Sequence, residues 1–225
     1  MPGAERHAPA GPATRLPIIY WSDDLLARRR KRPPPTAERA LETYDALLDA
    51  TRKLLGEAGF EALTTNRICA VAGVTPPAFY HYFTDKYDVL EEIAYRLIKR
   101  QNSTLLEWLH STDRVRTETA VDWLKVWFRK LTRIAAEEPG ASWTMRAIRA
   151  LPSLAELRLA SARTLTDMLA EFFRPEWTDI DEETMWHRLR IMVELSYMVD
   201  ELAMEDGQIE PELLFHEVAR LAARF

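Results

Sequence analysis

Residues 64–86, TTNRICAVAGVTPPAFYHYFTDK, constrain this chain more than any other stretch. Two short helical patterns meet at Ala72-Gly73-Val74, and the second opens on Thr75-Pro76-Pro77. Gly73 suits a tight corner because glycine adopts positive φ without a steric penalty. Proline is tolerated in a first helical turn, where its missing N–H had no intrahelical partner, so Pro76 and Pro77 mark a helix start. A compact helix–turn–helix of this kind lays one helix in the major groove of DNA. The pattern therefore predicts a nucleic-acid face here and a supporting role for the remaining chain.

The flanking residues read as helix throughout. Leu41, Tyr44, Leu47, Leu48, Leu54, Leu55 and Ala58 recur at three- and four-residue steps and predict one apolar face, ended by Gly59 with Phe60 packed behind it. Thr64 or Thr65 can cap the second helix, whose buried face is expected at Ile68, Cys69 and Ala72. Thr84 or Asp85 can cap a fourth helix carrying Val89, Leu90, Ile93, Leu97 and Ile98 and running on through Leu105, Leu106 and Leu109. Prolines and glycines then divide the chain into helices at 121–136, 141–150, 153–173, 182–205 and 211–225. The long one at 182–205 carries an apolar stripe of Trp186, Leu189, Val193, Tyr197 and Val199. No alternating strand pattern and no repeat is evident. The expected fold is all-α: an N-terminal three-helix DNA-binding unit, then a larger helical domain.

Charge sharpens the placement of the DNA face. The net charge is −5, which is wrong for a uniform DNA binder, but residues 1–100 are slightly basic and residues 101–225 strongly acidic. Phosphates would be repelled by the acidic part, so a nucleic-acid face belongs on the N-terminal part. Residues 1–35 read as a proline-rich tail, with an apolar island at Pro17-Ile18-Ile19-Tyr20-Trp21 and a basic run, Arg28-Arg29-Arg30-Lys31-Arg32. The run is either a solvated cluster or an arm that touches phosphates or enters a minor groove.

The span from about Glu42 to Ile98 resembles the DNA-binding domain of the tetracycline-repressor (TetR) family of bacterial transcriptional regulators. The matching pieces are Ala58-Gly59-Phe60, Thr64-Thr65, Ala72-Gly73-Val74, Phe79-Tyr80-His81-Tyr82-Phe83 and Asp85-Lys86, in that order and spacing. The resemblance implies a division into residues 1–35 (tail), 36–86 (helix–turn–helix domain) and 87–225 (ligand-binding and dimerisation domain). It implies DNA contact by Thr65, Asn66, Thr75, Pro76, Pro77, Ala78, Tyr80, His81, Tyr82 and Lys86. In that scheme Pro76, Pro77 and Ala78 lead the recognition helix and meet base edges by apolar contact, while Asn66 and His81 are the polar readers. Tyr80 and Tyr82 resemble phosphate-contacting aromatics, and Lys86 a phosphate clamp helped by the N-terminal N–H groups of its helix. Phe79 and Phe83 are expected in the core, and Cys69 as a buried, inert thiol.

The resemblance further implies a homodimer through the last two helices, about 182–225, on a near-palindromic operator, and a repressor that responds to a small molecule. The middle helices are rich in tryptophan and phenylalanine, and Trp108, Trp127, Trp143 and Met145 are the candidate lining of a pocket for a small apolar or aromatic effector. Catalysis is not expected. The five histidines show no metal-ligand spacing, no glycine-rich phosphate loop is present, and no serine sits in a nucleophile elbow. No cofactor, metal or membrane contact is expected. Met1-Pro2-Gly3-Ala4-Glu5 has no apolar signal core and a single cysteine cannot form an internal disulfide, so a cytoplasmic site is expected. The alternative is a helical small-molecule sensor or interaction protein with a degenerate DNA-binding unit, because two leading prolines cannot donate hydrogen bonds.

Overall fold

The computed structural model describes residues 34–111 and 120–224. The tail with its 17–21 island and its basic run at 28–32 lies outside the described residues, apart from Pro34 and Pro35. The described residues form nine α-helices and a short 3-10 turn: α1 (Glu38–Ala58), the turn (Phe60–Ala62), α2 (Thr65–Ala72), α3 (Pro76–Tyr82), α4 (Lys86–His110), α5 (Ala120–Ala136), α6 (Ala141–Ala150), α7 (Pro152–Phe173), α8 (Glu182–Glu205) and α9 (Pro211–Ala222). They contain no strand.

Local chemistry sets most of these boundaries. Thr64 rather than Thr65 caps α2, its side chain accepting the Arg67 N–H at 3.3 Å. Gly73 ends α2 in the left-handed region at φ 68°. A Cβ there would meet nothing within 4 Å, so the requirement is for the backbone angle and not for space. Asp85 caps α4 through the N–H groups of Tyr87 and Asp88, and Asp88 returns a carboxylate oxygen to the Thr84 N–H at 2.8 Å. Asp181 and Glu210 cap α8 and α9 in the same manner.

Two hydrophobic cores result. The smaller gathers Tyr44, Leu47, Leu48, Leu54 and Leu55 of α1, Ile68 and Cys69 of α2, Phe79, Phe83 and the first turns of α4 through Val89, Leu90 and Ile93. Tyr44 stacks on Phe83 at 4.8 Å between centroids, and Phe79 has no exposed surface. Burying each such side chain contributes about 1.5–3 kcal/mol. Leu41 and Ala58, expected on this face, lie at the two ends of α1 beyond the core and are exposed. The larger core gathers α4 from Ala94 onward with α5 to α9. There α9 lies against α5 and α8, and α7 lies between α6 and α8. Trp186, placed on the α8 stripe, is only half-buried, and its indole N–H reaches Asp167 at 2.7 Å.

The two cores meet along a seam between α1 and the α5–α6 corner. Arg52 Nε pairs with Glu138 Oε1, both side chains mostly covered. Trp143 packs against the smaller core. Gly140 sits at φ 73°, and a Cβ on it would lie 2.6 Å from Leu55 Cβ and 2.9 Å from the Arg52 carbonyl oxygen. Gly140→Ala therefore combines a left-handed backbone with a steric clash. It should lower stability by about 2–4 kcal/mol, read as a fall in denaturation midpoint. An unchanged midpoint would contradict the seam as described.

Candidate functional site

The α2–α3 unit presents a mixed polar and aromatic surface. Phe79 and Phe83 point into the small core, as the i, i+4 spacing predicts. The opposite side of α3 exposes Pro76, Pro77, Tyr80 and His81, with Tyr80 at 50 % exposure. Ala78 and Tyr82 are half-buried, Tyr82 meeting Tyr44 edge-on at 5.8 Å. On the neighbouring elements Asn66 and Thr75 are exposed and Thr65 is half-buried. The ten residues expected at DNA are thus brought onto one contiguous segment, with Tyr80 and His81 outward and Tyr82 partly committed to packing.

Two details modify that expectation. Thr75, the N-cap residue of α3, makes no side-chain capping bond, and Pro76 and Pro77 supply no N–H. The leading end of α3 therefore presents apolar rings and few donors. At α4, the N–H groups expected to help Lys86 hold a phosphate are already taken by Asp85. Two N–H groups of this helix end are thus committed to its own cap, and the phosphate expectation there rests on the Lys86 side chain. The Lys86 ammonium lies 4.3 Å from the Phe60 ring centroid and 5.5 Å from that of Tyr87, a cation–π seat. Arg67, exposed beside Asn66 on α2, is a cation on this surface that the sequence reading did not single out. Its place in the motif was the signal. The Cys69 thiol is buried, and burial raises its pKa, which makes it a poor nucleophile.

The helical body holds a cavity of about 40 Å³, lined from α4, α5, α7 and α8. At roughly 10–15 Å³ per water this is room for about three waters. Of the four aromatic-pocket candidates, Trp127 lines it. Trp108 stacks behind Trp127 at 6.0 Å and is buried. Met145 is buried in the large core, and Trp143 lies at the seam with the small core. Spacing of tryptophans could not separate these fates, because it does not say which core each faces.

The cavity's polar lining was missed entirely. Gln101 Nε2 donates to Asp200 Oδ2 at 2.7 Å, and Thr132 Oγ1 donates to Asp200 Oδ1 at 2.8 Å. Trp127 Nε1 donates to Ser196 Oγ at 3.0 Å, and Asn102 Nδ2 to Ser161 Oγ at 3.1 Å. Burial pushes the Asp200 pKa up from 3.8 to about 7, against the two hydrogen bonds that favour its anion. Burial likewise raises Tyr197 to about 12. The available signal was polar residues at positions the helical period assigns to the core. Among the described residues no cluster of His, Cys, Asp or Glu is placed to hold a metal ion, and no helix is long and apolar enough to cross a membrane.

An exposed recognition helix on a small trihelical head, seated on a helical body with an internal cavity, defines a helix–turn–helix DNA-binding transcriptional regulator. Residues 47–93, from α1 through the first turns of α4, match the family model for bacterial regulatory proteins, tetR family. The chain is 24 % identical over 151 residues to nucleoid occlusion factor SlmA of Haemophilus ducreyi, covering 67 % of this chain and 69 % of that protein. It shares its fold with the fatty acid degradation regulator FadR of Bacillus halodurans, at TM-score 0.60, 18 % identity and coverage of 84 % and 96 %. FadR of Bacillus subtilis, solved in complex with stearoyl-CoA, matches at TM-score 0.57, 18 % identity and coverage of 80 % and 97 %.

Asp200 generates a pH prediction. Its native pKa lies above its unfolded value, so the native state holds the proton more tightly. The stability tied to that proton is complete below about pH 4 and is lost as pH rises to about 7. The loss is on the order of 3–4 kcal/mol. Asp200→Asn should flatten that part of the stability–pH profile in denaturant titrations. An identical profile in the variant would exclude Asp200 as its source.

Proposed function

We propose that this chain is a homodimeric transcriptional repressor that lets go of a near-palindromic operator when a small molecule enters its body. In this reading residues 36–86 bind DNA, residues 87–225 sense the ligand and pair the subunits, and the protein acts in the cytoplasm on the chromosome. The observation that carries the ligand response is the continuity of α4. Its first turns, at Val89, Leu90 and Ile93, belong to the small core beside α3, while Gln101, Asn102 and Leu105 line the cavity. A ligand that spreads the cavity displaces a helix to which the DNA-binding head is packed. In a dimer this changes the separation of the two α3 helices, and DNA affinity falls.

Pairing is supported by the apolar surface of the last two helices. Leu213 and Leu221 of α9 are 60 % and 59 % exposed, and Ile191 of α8 is 46 % exposed. Two copies of such a face bury one another around a two-fold axis. Leu213→Glu combined with Leu221→Glu should convert a dimer to monomers by light scattering and weaken operator binding. A variant that remains dimeric would remove this face from the interface.

The DNA-binding roles separate by salt dependence. His81→Ala should cost about 1–3 kcal/mol of operator affinity while leaving the salt slope nearly unchanged. Lys86→Ala should weaken binding to operator and random DNA alike and reduce the log–log salt slope by about 1. Fluorescence anisotropy on DNA flanking the gene reads both. Wild-type affinity in both variants, at every salt concentration, would overturn the assignment of α3 and the α4 start to DNA.

A further inference from the structure

The cavity lining has an asymmetric chemistry. Leucine, valine and methionine side chains form half of it, Trp123, Trp127, Phe173 and Tyr197 add aromatic surface, and Asp200 is its one charged member. Asp200 is 1 % exposed, and its two oxygens receive hydrogen bonds only from the neutral donors Gln101 and Thr132. A buried carboxylate without a cationic partner is costly, and here the cost shows as a pKa raised chiefly by burial. Arg158 lies over the lining residue Tyr197, 5.5 Å from its ring, but gives Nη1 to both Glu194 oxygens at 2.7 Å. Arg190 is likewise taken up by Glu194, at 2.6 Å.

We propose that the cavity, widening from its space of about three waters, takes a small organic cation, an amine or ammonium carried on a single apolar or aromatic group, with Asp200 as its counter-charge. The ammonium supplies the positive partner that Gln101 and Thr132 cannot, in a charge-assisted hydrogen bond. Trp123 and Trp127 line the same cavity, each stacked on Trp108 behind them at 4.6 and 6.0 Å between centroids, and add aromatic surface that suits a cation. An anionic ligand would meet a carboxylate and no lining cation. This rests on the reading of the body as a ligand sensor and specifies the class of ligand.

The test uses three probes of one size and different charge: 2-phenylethylamine, 2-phenylethanol and phenylacetate, titrated calorimetrically into the full-length protein. The amine should bind at least about tenfold tighter than the alcohol, with phenylacetate weaker still. Asp200→Asn should abolish the preference for the amine while the alcohol binds as before. Asparagine keeps the size, and the Thr132 hydroxyl can reverse to accept. Thermal melting checks that the variant folds, and the wild-type ranking stands without it. Equal binding of amine and alcohol, tighter binding of phenylacetate, or no binding of the amine would overturn the cation proposal. Operator release by either of the other two probes would, in those cases, leave the ligand-responsive regulator standing.

Discussion

One helix shared by two cores is the constraint on which this molecule depends. The 25-residue α4 runs without a break from Lys86 to His110, and no proline or glycine interrupts it. Val89, Leu90 and Ile93 are fixed in the small core, and Ala94 through Leu109 in the large one. A helix with both ends clamped transmits displacement instead of absorbing it. The seam at Arg52, Gly140 and Trp143 adds a second contact between head and body, where close backbone packing leaves no room for a side chain. Head and body are therefore mechanically joined at two places, one beside the recognition helix and one on the far side of α1.

The DNA-facing surface is unusual in its economy of donors. Pro76 and Pro77 start α3 cleanly but remove two N–H groups, and Asp85 occupies those at the start of α4. In the proposed reading, positive charge on the surface comes from Arg67 and Lys86 and polar reading from Asn66 and His81, and the leading edge of α3 is apolar. Such an interface favours shape and methyl contacts over a dense hydrogen-bond code. For the proposed dimer, specificity then leans on how two copies are spaced as much as on what one copy touches.

Most of the fold was legible in the sequence because its punctuation is chemical. Gly73, Pro76-Pro77, Asp85, Pro139-Gly140, Pro152, Asp181 and Pro211 each start or stop a helix for a local reason, and the helix boundaries fall within a few residues of them. The face of α3 was legible too, since a single turn of helix cannot send Phe79, Tyr80 and Phe83 the same way. The cavity was not. Whether Trp127 or Trp143 borders a void depends on which helix stands opposite, and that is a property of tertiary packing alone. The hydrogen bonds of Gln101 and Thr132 to Asp200, of Trp127 to Ser196 and of Asn102 to Ser161 bring α4, α5, α7 and α8 together over long stretches of chain. Each polar residue alone reads as an ordinary polar position on an amphipathic helix. The choice of Asp85 over Thr84 as the cap of α4 emerged only from hydrogen-bond geometry.

In the proposed dimer α3 is a recognition helix delivered twice, by a symmetric pair of subunits, to successive turns of one face of DNA. Hydroxyl-radical footprinting of the full-length protein on the DNA flanking its own gene measures this directly. The account predicts two protected half-sites related by a two-fold axis, their centres about 34–36 Å apart or a multiple of that. Protection that is uniform along the fragment, or absent at concentrations where random DNA is equally bound, would contradict it.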